Sequence, residues 1–328
     1  MNIKQTVYFM GLVGGLAGLA CWAIQAWLSE SISVQQEQLW VWDALSTTLM
    51  GALIGGMTVG FADQWSGEGV VARWVLVGVM LGTLAGFGAG ILDIPIYNNI
   101  IVPNWNSPVA AIGRSLTWAV AGGLIGLVTG FRWLAVNPLR PLHALLGGLV
   151  GGALGGAVSL LGWNEFIQPL PFMLTGLGIT LGVTLAPVLL RDGVLHFVSS
   201  ADARAQNKYG RQQPEWVVQD GDRLAIGSQG SDRTMTLYAR GVDVYIPDAM
   251  IAPLHATLFA KAKRFFIQVH EDNTGPQGQP LNPLQVNGAL VVGTRELHDG
   301  DQIVLGQTLL QFRSRRQAAP VHPSARLR

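Results

Sequence analysis

Six apolar stretches dominate the first 190 residues, and each is long enough to cross the roughly 30 Å hydrocarbon core of a bilayer as a helix. They run Val7 to Leu28, Ala44 to Ala62, Val75 to Leu92, Leu116 to Trp133, Ala144 to Leu161 and Leu170 to Leu190. In lipid every backbone amide must find its partner inside its own segment, so runs this apolar predict an all-helical membrane bundle. Charge is distributed to match. Lys4, Arg73, Arg114, Arg132 and Arg140 are the only Lys and Arg before residue 191, and the remaining 16 of 21 follow it. Charged residues are 12% of the chain, about half the share of a soluble domain, so two unlike parts are joined. The net charge of +1 gives no support to nucleic-acid binding, which needs a basic stripe on a compact domain. A single cysteine, Cys21, excludes an intrachain disulfide framework.

The short loops set the expected orientation, because Lys and Arg are retained on the cytoplasmic side. Lys4, Arg73, the pair Arg132 and Arg140, and Arg191 fall in alternate connections, whereas the loops Ser29 to Asp43 and Gly162 to Gln168 carry neither residue type. An even number of spans in a multi-pass protein of the cell membrane, with both termini cytoplasmic, follows. Arg114 is the exception, read as a snorkelling anchor where the outer loop Asp93 to Gly113 meets the fourth span, with a ligand or ion contact as the alternative. Lys4 before an apolar run also opens secretory signals, but this run is too long for one.

Glycines recur at four-residue steps in the spans: Gly78, Gly82, Gly86; Gly122, Gly126, Gly130; Gly148, Gly152, Gly156; and, beside the last row, Gly147, Gly151, Gly155. Small residues at this spacing flatten one helix face and let a second backbone approach closely, the packing of a glycine zipper. The adjoining rows of the fifth span offer two such faces, one for the bundle and one for a second protomer in a homo-oligomer. There is also an internal repeat. Gly51-Ala52-Leu53-Ile54-Gly55 recurs as Gly122-Gly123-Leu124-Ile125-Gly126, and a shift of 70 aligns Gly78, Gly82 and Gly86 with Gly148, Gly152 and Gly156. Repeats occur in transporters, yet the expected spans hold no Asp, Glu or Lys, which transport paths usually need. Thr47, Thr48, Thr58, Thr83, Thr129, Thr175 and Thr180 are expected to bond to helix carbonyls.

Beyond Arg191 the pattern changes. Ser199 to Gln213 is polar without periodicity and reads as a tether. From Glu215 short β-like runs alternate with turn signals: Trp216 to Val218, Leu224 to Ile226, Thr234 to Tyr238, Val242 to Ile246, Ala256 to Phe259, Phe265 to Val269, Ala289 to Val292, Gln302 to Leu305 and Thr308 to Phe312. Asp220-Gly221, Asn287-Gly288 and Asp299-Gly300 supply hairpin turns, since Asn or Asp before Gly tolerates positive φ.

Residues 215–314 resemble the forkhead-associated (FHA) domain. The resemblance is carried by Ile226-Gly227, by Val244-Tyr245-Ile246-Pro247-Asp248 leading to His255-Ala256-Thr257-Leu258, by Val286-Asn287-Gly288, by Leu297-His298-Asp299-Gly300-Asp301-Gln302-Ile303, and by Leu305-Gly306 with Leu310-Gln311-Phe312. It implies a two-sheet β-sandwich of about eleven strands whose loops at one end bind a phosphothreonine peptide, without catalysis. The family's phosphate ligands are replaced here. An arginine is expected after Gly227, where Ser228 stands, and the next loop has Ala252 and Pro253 in place of a serine and an arginine. His255 and Asn282 keep their places, Asn287 keeps the turn, and Arg233 or Arg240 is the candidate substitute cation, or else a solvated charge. Two guanidinium groups lost from a phosphate site cost on the order of 1.5 to 3 kcal/mol per bond.

The expected organisation is a six-span membrane domain at 1–192, a polar linker at 193–213, an FHA-like sandwich at 214–316 and a disordered basic tail at 317–328. The peptide-binding set is Ser228, Ala252, Pro253, His255, Asn282, Asn287, Arg233 and Arg240. The partners are the lipid bilayer and a cytoplasmic protein or peptide, phosphorylated or not. The scattered histidines lack metal-ligand spacing, no phosphate-cradling loop or nucleophile elbow occurs, and no cofactor is expected. The reading is a membrane-anchored interaction module for signalling or scaffolding; the alternative is a transporter or channel regulated by its FHA-like domain.

Overall fold

The computed structural model describes residues 3–31, 39–62, 72–104, 107–161, 166–229, 242–276 and 278–314. Arg233, Arg240, the candidate strand Thr234 to Tyr238 and the tail 317–328 lie outside the described residues. The chain falls into two compact units, the first built on the helices up to Leu189 and the second on Leu190–Gln229 together with the residues from Ile246 onward.

The first unit is helical: α1 (Ile3–Ser31), α2 (Leu39–Ala62), α3 (Ala72–Ile96), α4 (Pro108–Gly130), α5 (Arg140–Val158) and α6 (Pro169–Leu189). All six lie in segments long and apolar enough to cross a membrane. Each packs on its neighbours in sequence, and α6 closes back onto α1. The centre is filled by Met50, Ile54, Ala121, Ile125, Phe172 and Ile179. Four of the threonines expected to bond to their own helices do so: Thr47, Thr48, Thr175 and Thr180 each donate to a carbonyl one turn back.

Two expectations are corrected here. The second helix starts five residues before Ala44, and the third runs past Leu92 through Ile96 into a π-helical turn (Tyr97–Ile101) and a 3-10 turn (Val102–Asn104). Residues 93–104 are therefore helical, where an outer loop was expected, and Asp43 and Asp93 lie inside candidate spans. A charge ends a hydropathy run without ending a helix when it can turn inward. Both carboxylates line a cavity together with Gln25, Trp118 and Phe172.

Backbones touch where the glycines stand. A Cβ on Gly82 would overlap the carbonyl oxygen of Gly51, and one on Gly55 that of Gly78, so α2 and α3 meet without intervening side chains. In α4 and α5 the same holds for Gly122 with Gly148, Gly126 with Ala144, and Gly152 with Trp118. Gly86, Gly130 and Gly156 abut Thr47, Pro141 and Ser115. The other row of α5, Gly147, Gly151 and Gly155, faces α6 at Gly178, Leu174 and Pro171. Both faces of the fifth helix thus serve neighbours in the same chain, and the row expected to be open to a second protomer is filled by α6. Gly51 meets Gly82 and Gly122 meets Gly148, so these contacts do not follow the shift of 70, which would align Gly82 with Gly152.

The second unit holds two antiparallel sheets. The strands are β1 (Gly193–Ser200), β2 (Glu215–Val218), β3 (Arg223–Gly227), β4 (Val244–Tyr245), β5 (Ala256–Lys261), β6 (Arg264–Val269), β7 (Leu284–Val286), β8 (Ala289–Leu290), β9 (Thr294–Leu297), β10 (Gln302–Leu305) and β11 (Thr308–Ser314). One sheet has the order β2-β1-β11-β10-β7-β8 and the other β4-β3-β5-β6-β9, eleven strands among the described residues. Alternate residues point inward: Leu195, Phe197, Ile303, Leu305, Leu310 and Phe312 from the first sheet meet Ile226, Leu258, Phe265 and Ile267 from the second. The Phe265 and Phe312 rings lie 4.8 Å apart.

The linker expected at 193–213 is overturned. Its first part is β1, paired with both β2 and β11, with Leu195 opposite Phe312 and Phe197 opposite Leu310. Its second part contains α7 (Ala203–Tyr209), whose Tyr209 packs on Phe197 and Trp216. The run reads as polar because Ala203 to Tyr209 commits only Ala205 and Tyr209 to the interior.

Candidate recognition surface

One end of the sandwich collects the loops that follow β3, β4 and β6. Gly227 closes β3, and a Cβ there would overlap the Pro253 carbonyl oxygen, so glycine is what lets the two loops touch. Ser228 then spends its donors on the neighbouring loop: its amide donates to Ala252 O at 3.0 Å and its hydroxyl to Ile251 O at 2.6 Å. Gln229 N–H reaches Pro253 O at 3.2 Å. Ser228 is a loop fastener, and its hydroxyl points into the protein.

His255 joins this pair of loops to a third. It is wholly buried, its Nδ1 accepts the Ala252 N–H at 3.1 Å, and its Nε2 lies 3.3 Å from Pro283 O. The carbonyl partner requires the proton on Nε2, which leaves Nδ1 as the acceptor. Burial, ahead of any neighbouring group, pulls its pKa down to about 4, so the ring is neutral near pH 7.

Asn273 completes the frame. It is fully buried at the end of the 3-10 turn Glu271–Asn273, and its amide donates to His255 O at 3.2 Å and Asn282 O at 2.9 Å. Its Oδ1 accepts from the Asn282 amide nitrogen of the backbone at 2.9 Å and from Asn282 Nδ2 at 3.1 Å. Asn282 is thereby held in a fixed pose, half-buried at the loop end. Sequence reasoning passed over Asn273; its signal is a lone Asn in a polar turn nine residues before the asparagine it clamps.

A second anchor was also missed. Asp248, 1% exposed, accepts from Gln307 N–H, Thr308 Oγ1 and Met250 N–H, each at 2.8 Å. Asp202, at the cap of α7, accepts from Ala249 N–H at 2.9 Å, and that bond, with the Arg204 contacts, holds its carboxyl below the usual carboxylate range. The segment read as a tether thus fixes the loop between β4 and β5.

Ser228, Ala252, Pro253, His255 and Asn282 lie at this one end, linked through the loop hydrogen bonds. Asn287 does not. It sits at the far end of β7 in the turn to β8, with φ of 53° followed by Gly288 at 76°, and its side chain bonds to Asp301 and Gln302. It shapes a hairpin and is withdrawn from the peptide-binding set. The described rim is partly apolar, with Pro253, Leu281 and Pro283 exposed and Ala252 buried behind them, and the turn before Asn273 adds the exposed carboxylates Glu271 and Asp272.

The model of the FHA domain family matches residues 228–306. The chain is similar to the FHA domain of the CT664 protein from Chlamydia trachomatis at 16% identity, covering 38% of this chain and 99% of that one with a TM-score of 0.28. It is similar to the first FHA domain of Rv1747 from Mycobacterium tuberculosis at 16% identity, with coverages of 38% and 99% and a TM-score of 0.26. The cytoplasmic domain of the sorting-platform protein PscD from P. aeruginosa is 18% identical, with coverages of 39% and 85% and a TM-score of 0.26. No curated protein matches the chain. The C-terminal unit carries an FHA domain, which is an interaction module, preceded by six apolar helices that fit a multi-span membrane protein.

Proposed function

We propose that this is a membrane-anchored interaction protein whose FHA domain holds a cytoplasmic protein or peptide without strict dependence on phosphothreonine. One observation carries the reading: the frame that shapes the loops is complete, while the phosphate-binding groups are replaced. His255, Asn273 and Asp248 lock three loops together. Yet the position after Gly227 is a serine whose hydroxyl is spent on Ile251 O, and the next loop offers Ala252 and Pro253. A dianionic phosphate needs charge-assisted donors, each worth on the order of 1.5–3 kcal/mol, so their replacement lowers the advantage of a phosphorylated ligand by about tenfold or more per bond. What stays at the loop end, Asn282 beside the apolar Pro253, Leu281 and Pro283 and the acidic Glu271 and Asp272, suits an extended backbone or a folded surface and disfavours a further negative charge. The helical unit is the bilayer anchor, with the domain in the cytoplasm as the Lys and Arg distribution requires.

The test is a titration of the soluble unit, residues 190–316, with a phosphothreonine peptide library and its unphosphorylated counterpart. We expect affinities within about a hundredfold of each other. A larger preference for the phosphorylated set overturns the reading and makes Arg233 or Arg240 the phosphate ligand.

A further inference from the structure

The hairpin of β5 and β6 carries a basic tip that the recognition reading does not use. Lys261, Ala262, Lys263 and Arg264 are all exposed, and Lys261 stands opposite Arg264 across the two strands. Like charges placed directly opposite each other weaken a hairpin. The turn is also built against local preference, since Ala262 and Lys263 both take left-handed backbone, with φ of 54° and 60°, where Asn-Gly is usual. The neighbouring strand adds Arg223, exposed and in register with Phe259. Phe259 in turn faces Phe266, their rings stacked at 5.3 Å and half-buried on the outer side of the sheet, because Leu224, Leu258 and Ile267 take the inner side. Cations thus flank an aromatic pair. The carboxylates beside them are already engaged: Asp220 accepts the Lys263 N–H at 3.0 Å, Asp222 is buried and accepts the Gln219 N–H at 2.7 Å, and Glu296 accepts from Arg264 Nε at 2.7 Å. Among the described residues Arg223, Lys261 and Lys263 have no ion-pair partner.

This tip lies at the end of the sandwich where the chain enters it. Asp192 donates its N–H to Val218 O at 3.1 Å and accepts the Asp220 N–H at 3.0 Å, and Asp220 in turn takes the Lys263 N–H. Asp192 follows Leu189, the last residue of the sixth candidate span, by three residues, so chain length alone keeps it within about 10 Å of that span however the sandwich turns. The cytoplasmic leaflet is anionic and attracts Lys and Arg held within a Debye length of roughly 8–10 Å, and aromatic rings settle at the headgroup boundary. We propose that Arg223, Lys261 and Lys263 dock the FHA domain on the anionic phospholipid headgroups of the leaflet it faces, with Phe259 and Phe266 against the same surface. The inference rests on the reading of the helices as a bilayer anchor. Each basic side chain at such a surface strengthens adsorption by about fivefold, so three together give about a hundredfold. Because the domain is tethered to the bilayer, adsorption is intramolecular and this modest gain is enough. β3, β5 and β6 run between this end and the loops of Ser228, Pro253 and Asn282, so a docked domain holds its recognition loops away from the lipid.

The experiment uses the full chain, a single copy in each lipid nanodisc, with Cys21→Ala and with Ala262→Cys carrying an environment-sensitive fluorophore. Discs of phosphatidylcholine alone are compared with discs holding about 30% phosphatidylserine, and the label is quenched with acrylamide, which is neutral. We expect quenching at least about threefold weaker in the anionic discs, the difference vanishing as NaCl is raised from about 0.1 M to about 1 M. Arg223→Gln, Lys261→Gln and Lys263→Gln combined should remove the difference. A label at Leu281→Cys, exposed among the recognition loops, should be quenched equally in both discs. Equal quenching of the 262 label in both discs, which would leave the cations free for an acidic protein, overturns the proposal. So does shielding at 281 in place of 262, or shielding that survives about 1 M NaCl. Should the triple variant fail to fold, the salt dependence and the 281 label decide. A chain that does not enter the discs overturns the anchor and the docking together, whereas one that enters them without shielding overturns the docking alone.

Discussion

His255 illustrates what a single residue does at the loop end. A buried imidazole with one ring nitrogen on an amide and the other on a carbonyl has no room for a second proton without losing the Ala252 bond. Its pKa of about 4 in the folded domain lies below the 6.5 of an unperturbed histidine. Between those values the unfolded chain binds the proton and the folded one does not, so stability rises with pH across that window and is lost as pH falls from about 6.5 to about 4. The loss approaches roughly 3 kcal/mol at the acid end, at about 1.4 kcal/mol per pH unit. Urea unfolding of residues 190–316 at a series of pH values should show this slope, and His255→Gln should be less stable at pH 7 but flatter towards acid. An unchanged slope in the variant would remove His255 as its source. That His255 is a buried turn residue was legible from its place ahead of a buried strand. Asn273 was not, because its partners come from segments 9 and 18 residues away and leave no local pattern.

At the scale of elements, the sequence disclosed those that announce themselves by periodicity. The apolar runs gave six helices, and alternation gave most strands of the sandwich. Two strands escaped it: β7 (Leu284–Val286) has one polar residue between two apolar ones, and β9 (Thr294–Leu297) has a single apolar residue, so neither shows an apolar run. β1 escaped for another reason, since the polar run that follows it made 193–213 read as a linker and put the start of the sandwich at 214. Period four also conceals register, because a glycine row matches itself after a slip of four residues, so the shift of 70 does not foretell which glycines meet. The β1 correction has a direct consequence. β1 lies between β2 and β11, and its Leu195 and Phe197 are fully or nearly fully buried. Removing it strips β2 of its partner and uncovers the Leu310 and Phe312 side of the core, several kcal/mol against a domain stability of 5–15 kcal/mol. A fragment starting at Pro214 should be insoluble or molten, whereas one starting at Leu190 should give a cooperative transition by circular dichroism. Equal cooperativity in the two would show β1 to be dispensable.

At the scale of the helical unit, Arg73 and Arg132 lie at one end and Asp43 and Asp93 at the other, with Arg114 the arginine that departs from the pattern. The Arg132 guanidinium lies 3.8 Å from the centre of the Trp74 ring and that of Arg73 5.4 Å from it, so the connections after α2 and after α4 share one end. Gln25, Asp43 and Asp93 gather at the end of the bundle formed by the close of α1, the start of α2 and the close of α3. Acidic residues count for little in setting membrane orientation, whereas Lys and Arg near span ends are retained in the cytoplasm. The arginine end should therefore face inward, with Lys4 on the same side, and the end that holds Asp43 and Asp93 should face outward. Single cysteines in a Cys21→Ala background test this directly, since Cys21 is buried and makes only a weak contact with Ser46 O. Glu30→Cys, exposed at the end of α1, should react with a membrane-impermeant maleimide in intact cells. Lys261→Cys, exposed at the end of β5, should react only after the membrane is opened. Labelling of both from the same side would break the six-span arrangement, and labelling with the sides exchanged would invert it and put the FHA domain outside the cell.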